Sequence, residues 1–229
     1  MMHRLLAGFV SANLFFSAAT AKAADLSLDA APMFNWTGLY VGVQGGYQWS
    51  KDRSTEFFTP TGAATGFSQD FQPDGGFGGV HVGYNYQFDW LVLGIEGDAD
   101  FGRASDGFTC CGGIFTFDAR KNWEASIRGR IGVTPTDRLL LYVTGGAAFT
   151  DLKYSWNSIE PLFPGVNANV FKTGWTVGGG GEVAVTDRVT ARLEYRYSDF
   201  GTTRFEWIDG SYEQHPRFHT ARTGVSLKF

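Results

Sequence analysis

The sequence predicts an all-β fold, namely an eight-stranded antiparallel up-and-down transmembrane β-barrel with short periplasmic turns and four long external loops. Three observations predict it. Eight stretches of about ten residues alternate apolar with polar side chains, which is the period of a β-strand. The connections between these stretches are long and short in turn. The chain also opens with the layout of an export signal.

The N-terminus predicts a cleaved secretory signal peptide. A basic pair, His3 and Arg4, precedes an uncharged apolar stretch over residues 5–19. Ala21 and Ala23 then occupy the two small-residue positions of an Ala-x-Ala cleavage site, which places cleavage after Ala23. The alternative, a retained membrane anchor, is less well supported because the apolar stretch is short for a transmembrane helix and a cleavage site follows it closely.

Cleavage leaves a short N-terminal periplasmic segment, residues 24–35, and the barrel itself, residues 36–229. The removed segment, 1–23, carries Arg4 and Lys22, so the 19 basic residues fall to 17 against 23 acidic ones, a net charge of −6. This balance predicts no nucleic-acid partner. No later stretch approaches the roughly 18 consecutive apolar residues of a membrane-spanning helix, which excludes a helical membrane protein.

The alternating stretches set one apolar face against one polar face. The predicted strands cover residues 39–49, 80–88, 93–101, 123–133, 139–150, 175–183, 191–197 and 221–229. A shift of one residue would scatter charges over both faces, whereas in this register the apolar faces carry none. Strands of this length cross a bilayer at a tilt, and closure into a barrel removes the unpaired sheet edges.

The polar faces indicate that the apolar side points outward to lipid. They carry equal numbers of acids and bases, the balance that an enclosed interior requires because buried charges must be paired. The acids are Glu96, Asp98, Asp100, Glu124, Glu182 and Glu194. The bases are Arg128, Arg130, Arg192, Arg196, Arg222 and Lys228. An eight-stranded barrel is only wide enough for side chains to fill, so we expect a solid charge network and not an open pore.

Loop lengths and aromatic residues support the same orientation. The long connections are residues 51–74, 103–121, 153–171 and 201–215. The short ones are residues 89–90, 134–138 and 186–188. Aromatic side chains recur where the strands should cross the two membrane interfaces. They include Trp36, Tyr47, Trp49, Tyr86, Phe88, Trp90, Phe101, Trp123, Phe149, Trp175, Tyr197 and Phe229.

With the register set, the chain resembles the small outer-membrane immunogenic proteins of alphaproteobacteria, a porin-like family with OmpA-type barrels. The resemblance covers the whole mature chain and is carried by motifs in the same order. These are WTGLYVG (36–42), GYNY (83–86), GIEGD (94–98), RGRIG (128–132), YVTGG (142–146), TGWTVG (173–178) and LEYRY (193–197). The ending VSLKF resembles the C-terminal assembly signal of outer-membrane barrels, with Val225, Leu227 and Phe229 as its apolar positions.

The resemblance implies a protein of the cell outer membrane that contributes to envelope integrity and presents antigenic loops. Its implied partners are outer-membrane lipid and lipopolysaccharide, periplasmic chaperones, the barrel-assembly machinery and a host or surface partner at the loops. The loop with Phe57, Phe58, Phe67 and Phe71 could be such a surface, although folding over the barrel rim is the simpler interpretation. The alternatives are a narrow porin-like channel for small ions or solutes and a lipid-modifying enzyme.

The sequence favours a protein without catalytic, cofactor or metal sites. Lipid-modifying barrels use a Ser and His pair, for which His219 with Ser198 or Ser211 would be the candidates, but no His-x-Ser motif occurs. The glycine run at 178–181 lacks the lysine of a nucleotide loop and fits close packing within a strand. His81 is predicted to face the interior as a structural residue.

The two cysteines are adjacent in a predicted external loop. Cys110 and Cys111 reach an oxidising compartment after export, so free thiols, a vicinal disulfide and intermolecular pairing all remain open. Without neighbouring histidines the pair is a poor metal site.

Overall fold

The computed structural model describes residues 34–50, 52–58, 64–158, 165–206 and 210–229. The predicted signal peptide, its cleavage site at Ala21 and Ala23, and almost all of the predicted periplasmic segment lie outside the described residues. The described part of the chain is built from β-strands and one short 3-10 turn, Cys111–Gly113. Within it, no helix has the length and apolar character of a membrane-spanning helix.

Twelve strands form two sheets. They are β1 (Gly38–Ser50), β2 (Asp52–Phe58), β3 (Ala64–Phe71), β4 (Asp74–Phe88), β5 (Leu91–Cys110), β6 (Phe115–Thr136), β7 (Leu139–Ser158), β8 (Val166–Ala184), β9 (Val189–Asp199), β10 (Thr203–Glu206), β11 (Gly210–Gln214) and β12 (Arg217–Lys228). Eight of them close into a barrel in the order β1-β12-β9-β8-β7-β6-β5-β4, and every neighbouring pair is antiparallel. The eight-stranded up-and-down prediction is therefore confirmed.

The seam between the first and last barrel strands is continuously paired. Tyr40 lies opposite Lys228 and Ser50 opposite Phe218, with an unbroken register between them. The last residue adds a further hydrogen bond, from the Phe229 backbone amide to the Leu39 carbonyl at 2.9 Å. Closure satisfies the backbone groups that an open sheet would expose to lipid, where each unpaired group costs several kcal/mol.

The alternation of exposed and buried side chains confirms the outward apolar face. Val43 on β1 and Ile95 on β5 are 63% and 59% exposed, whereas Glu96, the next residue, is 1% exposed. Large apolar side chains cover the outside of the barrel along each of its strands, and the buried interior is mostly polar. This distribution of apolar and polar side chains is the inverse of that in a soluble protein, and it suits an outer face that contacts lipid chains.

Several predicted loops are in fact strands. Residues 103–110 and 115–121 extend β5 and β6 as a paired hairpin, and residues 153–158 and 166–171 do the same for β7 and β8. The other two long connections contribute β2, β3, β10 and β11 to a separate four-stranded sheet, in the order β10-β11-β2-β3. Pairing continues beyond the apolar outer zone, where the pattern is inverted: Ala119, Leu152 and Tyr154 are buried, whereas Lys153 is exposed.

The short and long connections lie at opposite ends of the barrel. We call these the turn end, with the connections at 89–90, 137–138 and 185–188, and the hairpin end, which carries the extended strands. An apolar cluster is buried at each end. At the turn end it comprises Phe34, Trp36, Val92, Leu140, Tyr142 and Ala184. At the hairpin end it comprises Ala104, Ala119, Ala148, Leu152, Tyr154, Phe200 and Phe218.

Trp36 corrects one of the aromatic assignments. The sequence placed it with the rings at the membrane interface, but it is 2% exposed and packs edge-on against Phe34, with 4.8 Å between ring centres. Its indole nitrogen donates to the Asp137 carbonyl at 3.2 Å, and its backbone amide donates to the Gln87 side chain at 2.7 Å. The segment before β1, residues 34–37, therefore lies in the mouth of the barrel at the turn end.

Gly38 makes this turn into β1 possible. Its φ of 140° is rarely adopted by residues with a side chain. A Cβ atom there would also lie 2.5 Å from the carbonyl oxygen of Phe229. A glycine at this position thus lets residues 34–37 and the closing strand β12 approach each other.

Candidate functional site

The candidate functional site is the charged interior of the barrel. Strands β5, β6, β8, β9 and β12 place acids and arginines at alternate positions, so that period-two geometry points all of them inward. Every one of the sequence-predicted charges except Lys228 is at most 7% exposed. Burial on this scale requires each charge to have a partner, because an isolated buried charge is very costly.

Glycines on the inner faces make room for these long side chains. A Cβ atom on Gly83 would lie 2.3 Å from the Tyr40 hydroxyl. One on Gly180 would lie 3.1 Å from the Tyr142 hydroxyl. Gly180 belongs to the run at 178–181, which lies wholly within β8. The run is therefore part of the barrel wall and has no helix after it.

Arg128 lies at the centre of the network. Its guanidinium contacts Glu96 at 2.5 Å, Glu194 at 2.7 Å and Asp98 at 3.1 Å. Glu194 is in turn held by Arg222, with 2.5 Å between Nη2 and Oε1. Three acids thus surround one base, and a second base shares one of those acids. Such sharing couples the charges, so removal of one affects several contacts.

A second group of contacts spans the barrel from β9 to β5. Arg192 contacts Glu96 at 2.5 Å. Arg196 contacts Asp98 at 2.9 Å and Asp100 at 3.0 Å. In the closed strand order, three strands separate β9 from β5 on either side. These ion pairs therefore cross the full diameter of the lumen.

Toward the turn end, Arg130 pairs with Glu182. Its guanidinium carbon lies 3.7 Å from the centre of the Tyr142 ring, a cation–π contact. Tyr142 also donates its hydroxyl to Glu194 at 2.9 Å, and Tyr40 donates to Glu96 at 2.8 Å. Tyr142, a member of the apolar cluster at that end, thus connects the cluster to the ion pairs.

Toward the hairpin end, the network contains a lysine that the sequence analysis missed. Lys121, assigned to a loop, is 2% exposed and pairs with Glu124. Its Nζ atom lies 4.0 Å from the centre of the Phe218 ring. Glu124 also accepts from Arg196, at 2.8 Å. With Lys121 as the sixth base, the network contains six acids and six bases; the buried Asp199 pairs outside it, with Arg217.

Lys228, the predicted sixth base, lies elsewhere. It is half-buried at the turn end, where its Nζ atom is 5.6 Å from the centre of the Phe34 ring. The alternation along β12 was interpreted correctly, but this position lies at the mouth of the barrel. The assignment of Lys228 to the interior charge network is therefore wrong.

Ser198 and His219, one of the pairs considered for catalysis, lie on opposite sides of the barrel wall. His81 is 3% exposed and its Nε2 atom is 2.8 Å from the Ser226 hydroxyl, inside the barrel. Ser198 is also inside, where its hydroxyl donates to Glu124 at 2.9 Å. His219 lies on the outer face against Trp49 and Tyr195, with 2.5 Å between Nδ1 and the tyrosine hydroxyl. The side chain of Ser211 lies outside the described residues.

The two cysteines lie at the tip of the β5–β6 hairpin. Cys110 ends β5, and Cys111 begins the 3-10 turn. Their side chains lie outside the described residues, so their oxidation state remains a prediction. Within the described part of the chain, no group of His, Cys, Asp and Glu side chains has the arrangement of a metal site.

Comparison with known proteins identifies the family of this chain. The family model described as outer membrane protein beta-barrel domain matches residues 11–229. The 31 kDa outer-membrane immunogenic protein of Brucella melitensis is 34% identical, with 93% of this chain and 95% of the relative covered. The 25 kDa outer-membrane immunogenic protein of Brucella abortus is 29% identical, with 96% of each chain covered. The 22 kDa outer membrane protein of Rhizobium leguminosarum is 31% identical, with 86% of this chain and 80% of the relative covered.

The chain is also similar to solved structures. The outer membrane protein OprG of Pseudomonas aeruginosa has 11% sequence identity, with 86% of this chain and 99% of that chain covered and a TM-score of 0.49. The family match and the curated relatives confirm the resemblance found in the sequence and the location in the outer membrane. The chain belongs to the outer membrane protein beta-barrel family.

Proposed function

We propose that the protein is a closed, non-conducting barrel that reinforces the outer membrane and presents an extended β-structure at the cell surface. The observation that carries this proposal is the set of ion pairs from β9 to β5. Arg192 and Arg196 reach across the lumen to Glu96, Asp98 and Asp100, so charged side chains occupy the space that an ion would need.

The two ends support a closed lumen. Phe34 and Trp36 fill the turn end, and Phe200 and Phe218 are packed at the hairpin end, with 6.3 Å between their ring centres. A cavity of about 20 Å³ lies beside Phe218, and this is room for about one water molecule. Ions would have to pass an apolar layer at each end as well as the network between them.

Opening the network would be energetically costly. Breaking a buried ion pair so that one partner remains unpaired costs about 3–5 kcal/mol. Each arginine of the network has at least two side-chain partners, such as Glu96 and Gln44 for Arg192, so a passage needs several such contacts to break at once. The interior thus acts as a rigid core that holds the barrel wall in shape.

The orientation in the membrane supports the surface role. Outer-membrane barrels have short periplasmic turns and long external connections. The turn end therefore faces the periplasm, and the hairpins β5–β6 and β7–β8 project from the cell. Relatives that are named immunogenic outer-membrane proteins fit an exposed surface of this kind. The barrel positions this surface, and the interior network keeps it rigid.

We also propose that the protein is not an enzyme. The pair required for lipid modification would be a serine and a histidine on one side of the wall, whereas Ser198 faces the lumen and His219 faces outward. His219 is instead part of an aromatic group with Trp49 and Tyr197, whose ring centres lie 5.8 and 5.2 Å from its own. This arrangement suits anchoring at the membrane interface.

The C-terminal strand supports a role for its last residues in assembly. Val225, Leu227 and Phe229 face outward, and Phe229 is 68% exposed. An exposed aromatic at the end of the closing strand is accessible to a barrel-assembly machinery before the seam with β1 forms.

Single-channel recording tests the proposed function. The mature protein is refolded, its folding is checked by the electrophoretic shift on heating in detergent, and it is inserted into a planar bilayer. We expect a heat-modifiable protein that produces no conductance steps. Stable, ion-selective openings would overturn the proposal and identify the protein as a narrow channel. Release or transfer of lipid acyl chains by the same preparation would contradict the non-enzymatic assignment.

A further inference from the structure

We propose that the hairpin end binds an extended, acidic polypeptide strand of a surface partner beside β8. The strand pairs with the free edge of residues 166–174 and places a carboxylate next to Lys172. The inference rests on the orientation given under the proposed function, which exposes this edge outside the cell. It does not depend on whether the lumen conducts.

The free edge begins where pairing between β8 and β9 ends. The last paired residues are Trp175 on β8 and Asp199 on β9. Beyond them, residues 166–174 continue to pair with β7 on one edge. On their other edge, no strand of the described chain is a partner. We call the gap along this free edge the β8 seam.

Phe200 and Gly201 explain why the two strands separate. The amide of Phe200 donates to the Pro216 carbonyl at 3.1 Å, on the side of β9 that is remote from β8. Gly201 has a φ of 66°, in the left-handed region that favours glycine, and its amide donates to the Asp199 carboxylate at 2.9 Å. The chain therefore leaves β8 and continues into β10, which belongs to the separate four-stranded sheet.

Lys172 reaches across the base of the β8 seam. If the pairing of β8 with β9 continued in register, Lys172 would lie opposite Thr202. Its Nζ atom instead donates to the Thr202 carbonyl at 3.3 Å, so a side chain takes the place of a backbone hydrogen bond. Among the described residues, no carboxylate forms an ion pair with Lys172. An ammonium group has three donors, and a carboxylate brought into the seam would satisfy them better than one carbonyl does.

The edge of residues 166–174 is suited to strand addition. The unpaired N–H and C=O groups of an edge strand can pair with another extended chain. Edge strands are commonly protected by proline or by a β-bulge. This edge contains no proline, and its register with β7 is unbroken. Beside β5 the free edge is shorter, residues 106–110, and Asp106 there already accepts the Gln72 amide at 2.7 Å.

Charge selects the occupant of the β8 seam. Residues 166–174 include one base, Lys172, and no acid. On an added strand, the side chain opposite Lys172 on the same face has its Cβ atom about 5 Å away, where an acid is attracted and a base is repelled. Lys172 thus makes the edge selective for a strand that carries a carboxylate. The β8 edge of a second copy is a poor occupant, because it brings another Lys172 and no carboxylate.

Backbone amide NMR of the refolded mature barrel in detergent micelles tests the proposal. The probe is a synthetic strand of alternating threonine and valine residues with one central glutamate, because these residues favour extended structure. The comparison probe has lysine in place of the glutamate. Both are added up to millimolar concentration, so that weak binding is detected. The test variant is Lys172→Gln, and the matched control is Lys153→Gln, which removes an exposed base from the neighbouring strand β7. Heat modifiability of each variant verifies folding.

We expect the glutamate strand to shift the amide signals of residues 166–174 and to slow their hydrogen exchange. The native chain should bind the lysine strand at least about tenfold more weakly. Lys172→Gln should bind both strands alike, whereas Lys153→Gln should keep the native preference. Unchanged signals of residues 166–174 at millimolar glutamate strand would overturn the proposal, as would equal binding of both strands by the native chain. Shifts of these signals with protein concentration alone would identify a second copy as the occupant and would also overturn it.

Discussion

Arg196 on β9 and Asp98 on β5 form an ion pair across the diameter of the barrel, with 2.9 Å between Nη1 and Oδ1. Neither residue belongs to a strand next to the other, so their contact depends on closure of the whole sheet. Asp98 also lies 3.3 Å from Arg222 on β12 and 3.1 Å from Arg128 on β6. One carboxylate therefore joins strands on opposite sides of the wall, and barrel closure and charge pairing stabilise each other.

The coupling between Arg128 and Glu194 leads to a first prediction. Either single change, Arg128→Leu or Glu194→Leu, leaves the buried network with one uncompensated charge and should lower the free energy of unfolding by about 3–5 kcal/mol. The double variant should lose less than the sum of the two, because no charge of this pair is left alone. Urea unfolding in detergent micelles, followed by the heat-modifiable band, measures the three values. Additive losses would show that the 2.7 Å contact is not a coupled pair.

The two lysines at opposite ends of the barrel give a second prediction. Lys121→Ala deprives Glu124 of one of its two cationic partners in a fully buried site, and we expect a loss of about 3 kcal/mol. Lys228→Ala, as the matched control, changes a half-buried side chain beside Phe34 and should cost less than about 1 kcal/mol. The same urea titration compares them. Equal losses would contradict the placement of Lys121 inside the network.

These lysines show which parts of the interior network could be predicted from the sequence and why the others could not. The strands, the outward apolar face and eleven of the twelve interior charges follow from the two-residue period. A register irregularity lies between Lys121 and Glu124 on β6, and another between Phe101 and Ala104 on β5. The irregularity on β6 shifts the phase of the alternation, so that Lys121 faces inward where an uninterrupted period would place Asn122, whereas on β5 Asp100 and Ala104 keep the same inward face. Which acid pairs with which base also depends on barrel closure, and no local pattern encodes that.

The buried Trp36 at the turn end gives a third prediction. Trp36→Ala removes a side chain that is 2% exposed, together with its hydrogen bond to the Asp137 carbonyl, and should lower the free energy of unfolding by about 3–5 kcal/mol. Trp90→Ala is the control, because Trp90 is 59% exposed at the same end and touches detergent or lipid. Unfolding midpoints in one detergent measure both. A smaller loss for Trp36→Ala than for Trp90→Ala would place Trp36 outside the barrel mouth.

The closing strand gives the last prediction, which separates assembly from stability. Phe229→Asp places a charge on an outward-facing side chain that is 68% exposed, while the hydrogen bond from its backbone amide to Leu39 can still form. We expect the variant to refold in detergent, because little packing is lost, but to reach the outer membrane in cells at a fraction of the native level. Val225→Asp is a control of the same charge on the same face, four residues inside the strand. A carboxylate facing lipid there costs less than the roughly 2–4 kcal/mol of an Arg or Lys at the bilayer midplane, but it should impair refolding as well. The amount of heat-modifiable protein in outer-membrane fractions, set beside the yield of refolding, measures the two effects. Native levels of Phe229→Asp in the membrane would refute a role of the terminal aromatic in assembly.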